Sequence, residues 1–296
     1  MLRDVLEFLA CPHCGAGLDL DGHAVFCPNG HSYDVARHGY VNLLGGDAST
    51  ATADTAAMVA AREAFFGVEH FAPLVRAVTD EAQRVAPGEA SGCVIDLGAG
   101  PGRYLSAVLE RLPGSVGLAL DLSKYALRRA ARRHPRIGAA VCDVWRPLPV
   151  RTDVAALVLD VFAPRNGAEI RRVLRRDGAL LAVTPTTDHL RELVSALGLL
   201  TVGEDKPDRV RRQLAPHLTL VRETPVTFTM TLTAADVHAL VAMGPSAWHV
   251  NRDHIDRQVR ALSEPVTVTA AVTLAEYRPV PRRQSLVAPT DDARSR

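Results

Sequence analysis

The sequence predicts an α/β fold, a mostly parallel sheet covered on both faces, preceded by a small module stapled by a metal. Three observations predict it. Between residues 93 and 183, short apolar runs alternate with segments of helical spacing, the pattern of repeated strand–helix units. A glycine-rich stretch stands directly between the first of those runs and the first of those helices, where doubly wound sheets bind nucleotides. Three of the five cysteines fall within the first 30 residues, in a segment too short to bury a solid core of its own.

The elements follow in order. Residues 1–46 are rich in Gly, Cys and His, and residues 47–55 are small and polar, as in a linker. From Ala56 to Val85 the apolar residues Met58, Ala61, Phe65, Leu74, Val75, Val78, Ala82 and Val85 recur at helical spacing. Strands are predicted at Cys93–Leu97, Val116–Leu120, Ala139–Cys142, Val154–Leu159 and Ala179–Val183. Helices are predicted at Arg103–Arg111, Lys124–His134 and Glu169–Leu174. Leu218–Leu232 and Val266–Glu276 are rich in Val and Thr and read as an antiparallel pair closing the sheet. Residues 282–296 are polar and are expected to be disordered. The division is therefore 1–46 as a metal-binding module, 47–85 as a helical linker region, 86–281 as the α/β domain and 282–296 as a tail.

Composition narrows the function classes. The 296 residues are 47% hydrophobic and 23% charged, with a formal net charge of +1. No global field draws such a chain to nucleic acid or membrane, so any such contact rests on local patches. No apolar run is long enough to span a bilayer, and acidic residues stand where a signal peptide needs basic and then apolar ones. A cytoplasmic protein without membrane contact is expected. An odd cysteine count in that setting does not make a disulfide framework.

The spacing Cys11-x2-Cys14-x12-Cys27-x3-His31 suits a tetrahedral ion. Three thiolates and an imidazole favour Zn²⁺, and four protein ligands close the site, which makes it structural. A redox Cys-x-x-Cys needs neither the third cysteine nor the histidine. His13 and His23 are spare ligands that could replace His31.

The second constellation is Val94–Gly102, with glycines at 98, 100 and 102. The spacing G-x-G-x-G is one residue shorter than the dinucleotide fingerprint. Asp96 lies in the strand end just before it. A carboxylate there repels a pyrophosphate and attracts an ammonium group, so a ligand with a cationic amino-acid end fits better than a dinucleotide. Asp121 ends the next strand, where an acid accepts ribose hydroxyls, and Asp143 follows the third, placed for an adenine amino group. Asp96, Asp121 and Asp143 at successive strand ends, with Gly98, Ala99, Gly100 and Gly102, form the pattern of Rossmann-like class I methyltransferases that bind S-adenosylmethionine. The plainer reading makes each acid a cap for the helix that follows.

After the fourth strand, Asp160-Val-Phe-Ala-Pro164 does not match the Asn/Asp-Pro-Pro-aromatic motif of many exocyclic-amine methyltransferases. No cysteine stands there to serve as a covalent nucleophile. Direct transfer to an already nucleophilic nitrogen or oxygen remains.

The whole order of motifs resembles the RlmA family of 23S ribosomal RNA (guanine-N1)-methyltransferases, in its resistance-type, TlrB-like (type II) branch. The pieces are the cysteine knuckle running to Asp34, Gly39–Leu44, Ala61–Phe65, His70-Phe71-x-Pro73-Leu74, Asp96–Gly102, Phe162-Ala-Pro164, Thr184-Pro185 with His189-Leu190, and Met243-Gly-Pro with Ala247-Trp248. The resemblance covers residues 8–278. It implies backbone contacts from Gly98 and Ala99 to S-adenosylmethionine, packing of Phe71 on the cofactor and a place for His189 near its amino-acid end. Phe71 stands where the family leads one to expect tyrosine, so a hydroxyl contact is lost. Without the resemblance, Phe71 reads as core and His189 as a surface histidine.

The resemblance further implies a 23S rRNA partner, a zinc module that reads RNA shape, and a homodimer whose cleft holds an RNA hairpin. Guanine N1 carries a proton near neutral pH, so transfer needs that proton removed or charge on O6 stabilised. Asp160 is the best-placed carboxylate for the base, unless it only caps its strand. The base must also be splayed out of its loop. Arginines 128, 129, 132, 133 and 136, a second set at 171, 172, 175 and 176, and Arg37 with His38 are the candidate RNA contacts. Arg62 is a candidate for the active cleft. Two rival readings are a small-molecule methyltransferase on the same core and a zinc-stabilised RNA-binding protein with a vestigial cofactor site.

Overall fold

A computed structural model describes the chain except residues 1, 47, 87–91, 200–202, 204–205, 245–251, 263–264 and 282–296. The expected tail and the Ala247-Trp248 motif lie outside the described residues. Eleven strands are described. Three make a small amino-terminal sheet: β1 Asp19–Asp21, β2 Ala24–Phe26 and β3 Ser32–Asp34, antiparallel in that order. The other eight are β4 Tyr40–Asn42, β5 Cys93–Leu97, β6 Val116–Asp121, β7 Ile137–Val141, β8 Ala155–Val161, β9 Leu174–Pro185, β10 Leu218–Leu232 and β11 Val266–Pro279. They form one sheet in the order β10-β11-β9-β8-β5-β6-β7-β4.

The five strands β7, β6, β5, β8 and β9 run parallel, as the alternation of apolar runs and helices predicts. β11 runs antiparallel to β9, and β10 pairs antiparallel with β11 along nearly its whole length. This is the order of a Rossmann-like class I methyltransferase sheet, with β4 added as a further parallel edge strand on β7. The chain reverses its direction of travel at β5, which has β6 on one side and β8 on the other. Such a switch point opens a crevice at the carboxyl ends of the strands.

Burial on both faces explains why these strands read as unbroken apolar runs. Alternate residues separate into two cores. Val94, Ala119, Leu157 and Leu181 face helices α3 (Ala72–Val85), α4 (Arg103–Arg111) and α5 (Lys124–Arg133). Ile95, Leu118, Val158 and Leu180 face the other way. Helices α6 (Gly167–Val173) and α8 (Lys206–Leu214) cover part of that second face.

The amino-terminal module covers the rest. Leu2, Val5, Leu6, Leu9, Cys11, Leu18, Val25 and Cys27 belong to the same apolar cluster as Ile95 and Leu118. Short helix α1 (Leu2–Val5) packs on β6 and β7. The expectation of a segment with no core of its own is thus met by sharing one: the module takes the place of a helical layer.

The helical stretch from Ala56 to Val85 is two helices, α2 (Ala56–Gly67) and α3. Between them Glu69 adopts a left-handed backbone (φ 59), which an apolar period alone does not reveal. Thr55 caps α2 by accepting from the Met58 N–H at 3.3 Å. Beyond β9 the structure adds α7 (Arg191–Leu197), α9 (Ala234–Ala242) and α10 (Arg252–Arg260). A third cluster joins α7, α9 and α10 to Phe65 and Phe71 above the carboxyl ends of the strands.

The docking of the module has one tight point. A Cβ on Gly138 would overlap Val5 Cγ2 and stand 3.1 Å from Cγ1. Gly138→Ala is expected to destabilise the chain by about 1–3 kcal/mol, the usual cost of overpacking a filled core. Urea denaturation measures it. An unchanged midpoint would mean that α1 is not docked on β7.

Candidate active site and zinc centre

At the crevice, β5 delivers Asp96 and then the turn Gly98-Ala99-Gly100. Gly98 and Gly100 both adopt left-handed backbone (φ 63 and 54). At Gly98 the constraint is also steric, because a Cβ would stand 2.7 Å from the Ala163 Cβ in the turn after β8. The two turns therefore touch, and a cavity of about 520 Å³ opens beside them.

Asp96, Gly98, Ala99, Gly100, Phe71 and His189 all line that cavity. Asp96 is 2% exposed, and its Oδ2 has no hydrogen-bond partner among the described residues. Burial, with the neighbouring charges of Asp121 and Asp160, pushes its carboxyl well above the usual range. A buried carboxylate with one oxygen unpartnered at the edge of a cavity calls for a cation. The aminoacyl and sulfonium groups of S-adenosylmethionine meet that demand, and backbone alone forms the adjoining turn, so the residues fit the cofactor.

The other expected cofactor residues serve the site from outside the cavity lining. Asp121 Oδ2 accepts from the Gly100 N–H at 2.8 Å and Oδ1 from the Ser123 N–H at 2.7 Å. The carboxylate braces the glycine turn and the start of α5, and each oxygen retains a second lone pair. Asp143 Oδ1 accepts from the Trp145 N–H at 3.0 Å, within its own loop. Gly102 begins α4, where a Cβ would stand 3.1 Å from Ala130 Cβ. Its role in the structure is the close packing of α4 on α5.

Asp160 departs from the role expected of it. It is fully buried and does not line the cavity. Its Oδ1 lies 2.9 Å from Arg165 Nη2. Burial pushes its carboxyl up to about 7, against the pull of Arg165. The group in the cavity wall is Arg165, 7% exposed, whose Nη2 also donates to the Val183 carbonyl at 3.1 Å and to Thr184 Oγ1 at 3.3 Å. Asp160 is thus the buried ion-pair partner of Arg165, a cavity residue that the sequence-based expectations do not include. No spacing rule flags Arg165, because its partner Asp160 is a strand residue five positions away.

Arg62 also reaches the cavity, ion-paired with Asp54 and donating to the Met243 carbonyl at 2.8 Å. Phe66, Tyr104, Phe162 and the end of α9 complete the wall. Phe71 is only 3% exposed and meets Phe65, Phe66 and Phe228 edge-on, so it is at once core and cavity wall.

On the covered face, the ligand atoms of Cys11, Cys14, Cys27 and His31 all lie within 4.8 Å of one another. Cys14 and Cys27 sulfurs are 3.7 Å apart, and His31 Nδ1 is 3.3 Å from Cys27 Sγ and 3.6 Å from Cys11 Sγ. These are close to the edges of a tetrahedron with zinc–sulfur bonds of about 2.3 Å. The donor set fits a closed zinc centre, and His31 rather than His13 or His23 completes it. Hydrogen bonds from the Ala16 backbone and from Asn29 hold the Cys14 thiol down to about 6, which favours the thiolate a metal needs.

The arginine clusters separate by their partners. Arg136 donates to the carbonyls of Leu109, Leu112 and Ser115, closing the end of α4. Arg133 is held by Glu63 and the Pro101 carbonyl. Arg172 is tied to Glu169 and to the carbonyls of Leu148 and Val150, and Arg175 to Asp177. By contrast, Arg128, Arg129, Arg132 and Arg37 are exposed. Three of these, Arg128, Arg132 and Arg37, lie close enough to His38 to help burial push its imidazole down. One positive face spans the zinc module and α5.

Comparison with known proteins follows the same division. The family model described as RlmA, N-terminal, a zinc ribbon, matches residues 9–47. A Micromonospora griseorubida protein named "Putative 23S rRNA (guanine-N(1)-)-methyltransferase" is 51% identical over 296 residues, 95% of this chain and 100% of that protein. The 23S rRNA (guanine(748)-N(1))-methyltransferase of Streptomyces fradiae is 48% identical over 281 residues, again 95% of this chain and 100% of its own. YxjB of Bacillus subtilis is 29% identical over 276 residues, 89% of this chain and 95% of that protein.

Two measurements test the site. Asp96 has a raised folded-state pKa, so its contribution to stability is whole below the ordinary carboxylate range and is lost as pH rises through the folded value. Its ionisation therefore opposes folding. Asp96→Asn is therefore expected to raise the melting temperature of the cofactor-free protein by about 2 °C or more, for about 1 kcal/mol or more. It should also weaken S-adenosylmethionine binding at least tenfold in calorimetry. A lower melting temperature would mean that Asp96 has a stabilising partner. For the metal, elemental analysis should find one zinc per chain. Chelation should lower the melting of the whole chain in a single transition, because Cys11 and Cys27 belong to the main core. A chelator that leaves the transition unmoved counts against the centre.

Proposed function

The chain belongs to the family of 23S rRNA (guanine-N1)-methyltransferases, and we propose that it methylates N1 of one guanine in a hairpin loop of domain II of 23S rRNA. The methyl then sits where macrolides of the tylosin and mycinamicin type bind in the ribosomal tunnel, and resistance follows. The observation that carries the reading is Asp96, a buried carboxylate with one unpartnered oxygen beside a glycine turn, in the wall of a cavity that Phe66, Phe71, Tyr104 and Phe162 also line. The name of the Streptomyces relative, which gives guanine 748 as its own target, supports the substrate class.

S-adenosylmethionine supplies an electrophilic methyl when bound. Asp96 would hold its cationic end, with contacts from the backbone of Gly98, Ala99 and Gly100. Asp121, which braces the Gly100 N–H, would also accept from its ribose, and Asp143 would receive its adenine amino group. Phe71 would pack on the cofactor, and His189 would lie near its amino-acid end. The chain's part in the chemistry is to place guanine N1 in line and to ease loss of its proton. Arg165, fixed by Asp160 and with a buried Nε that has no partner among the described residues, is positioned to stabilise charge on O6. Solvent can then take the proton, and a buried general base is not required.

The zinc ribbon and the exposed arginines 37, 128, 129 and 132 supply the phosphate contacts of an RNA hairpin. Two copies of the chain pair to form the cleft that receives it. The reaction belongs where ribosomes are, in the cytoplasm. No helix among the described residues is long and apolar enough to cross a membrane.

The test uses ribosomal RNA from a strain that lacks the modification. Incubation with the protein and S-adenosylmethionine should create one new reverse-transcription stop at a domain II hairpin guanine, because N1 methylation blocks the Watson–Crick edge. Methyl incorporation without a stop moves the reaction to another atom. No incorporation by a protein that still binds the cofactor overturns the RNA substrate.

A further inference from the structure

Phe162 departs from two ordinary tendencies at once. Its backbone is left-handed (φ 59), a conformation that strains a bulky non-glycine residue. Its ring is also 41% exposed, although the structure buries the neighbouring Phe71 almost completely. Neither feature improves the packing of the fold. Both aim the ring into the cavity.

The ring stands in a row of three. Its centroid is 6.5 Å from that of Phe71, inclined at 39°, and 5.7 Å from that of His189, inclined at 38°. The row is anchored through backbone. The Phe162 N–H donates to the Val183 carbonyl at 3.2 Å, and the next residue, Ala163, lies against Gly98. The His189 N–H donates to the Thr186 carbonyl at 3.1 Å, and its Nδ1 accepts from the Ala271 N–H at 3.2 Å. That acceptance places the ring proton on Nε2. The backbone that carries Phe162 and the ring of His189 are therefore held before any ligand arrives.

We infer that Phe162 is the stacking platform for the splayed-out acceptor guanine, with the imidazole of His189 at the edge of the stacked base. The inference rests on the proposed function and adds to it the residue that positions the acceptor. An exposed aromatic face in a cavity suits a purine, which every aromatic ring can stack. The contact of Ala163 with Gly98 sets the height of the base relative to the cofactor turn, so stacking also fixes the approach of N1 to the methyl. Because stacking is tolerant of base identity, choice of guanine over adenine falls to polar groups of the wall, Arg165 first among them.

The experiment compares the full-length zinc-loaded wild type with Phe162→Tyr and Phe162→Leu, each checked by thermal melting. The readouts are single-turnover methylation of an unmodified domain II hairpin transcript and cofactor affinity by calorimetry. The third is fluorescence of the same hairpin carrying 2-aminopurine at the target position. Leu keeps apolar bulk but removes the ring. The inference expects Phe162→Leu to lose about ten- to a hundredfold in rate, the usual worth of one base–aromatic stack. Phe162→Tyr should stay within about threefold, and both should bind the cofactor within about twofold of wild type. The 2-aminopurine should be quenched on wild type and Tyr and bright on Leu. A Leu variant at wild-type rate, or wild-type and Tyr complexes that leave the fluorophore unquenched, overturns the inference. So does cofactor affinity that falls in step with rate, which would assign the ring to the cofactor. A wild type that binds cofactor and leaves the transcript unmethylated overturns the RNA reading itself, a result visible before any variant is compared.

Discussion

The contact between the turn after β5 and the turn after β8 governs the rest of the site. Gly98 and Ala163 approach so closely that no side chain fits at position 98. Parallel strands at a switch point diverge at their carboxyl ends, and here the two turns bridge that divergence. One consequence is a cavity with a fixed wall on the cofactor side. Another is that the chain after β8 must leave by a sharp path, which Phe162 takes in left-handed form. A third is that Asp160, two residues earlier, is fully buried outside the cavity lining and pairs with Arg165. A single steric fact therefore links the cofactor turn, the aromatic row and the buried ion pair.

The zinc module depends on the sheet in a different way. A free-standing zinc ribbon places its apolar residues around its own metal centre. Here Cys11 and Cys27 face the same core as Ile95 and Leu118, and the strand after the ribbon, β4, joins the sheet beside β7. The metal keeps the ribbon compact, and the sheet supplies the apolar surface that the ribbon is too short to provide. This geometry also brings Arg37 and His38 next to α5. The positive face proposed for RNA is thus composed of two elements that are remote in sequence and joined through the edge of the sheet.

Sequence alone carried the five parallel strands β5 to β9, the zinc ligands and the glycine turn, because each leaves a local signal. Apolar runs report burial on both faces, and Cys spacing reports a shared ion. Less was legible where a residue answers to something distant. The break between α2 and α3 depends on one left-handed backbone at Glu69, invisible to apolar period. β9 begins at Leu174, five residues before its apolar run, since Arg175, Arg176 and Asp177 extend the strand without being buried. Gly102 looks like part of the ligand turn, yet a helix packs against it. Arg165 and Phe162 could not be assigned from their neighbours, because one is defined by a buried partner and the other by a cavity that five separate segments enclose.

The acids at the strand ends show how the fold decides which ligand it will accept. Asp96, Asp121 and Asp160 stand on adjacent strands, and the charges of the other two add to burial in pushing the Asp96 carboxyl toward protonation. Three ionised carboxylates in one buried layer would be costly unless each were compensated. Asp160 is compensated by Arg165, and Asp121 by the N–H groups of Gly100 and Ser123. Asp96 lines the cavity, and its Oδ2 lacks a hydrogen-bond partner among the described residues. A neutral or anionic ligand would leave that charge buried and unmatched, whereas a cationic one completes the set. The destabilised residues thus gather where binding relieves them: of the four described non-glycine residues with left-handed backbone, Phe162 and Leu190 both line the same cavity. Strain and unmatched charge at one place, in a fold otherwise well compensated, mark the site as one selected for its ligand rather than for stability.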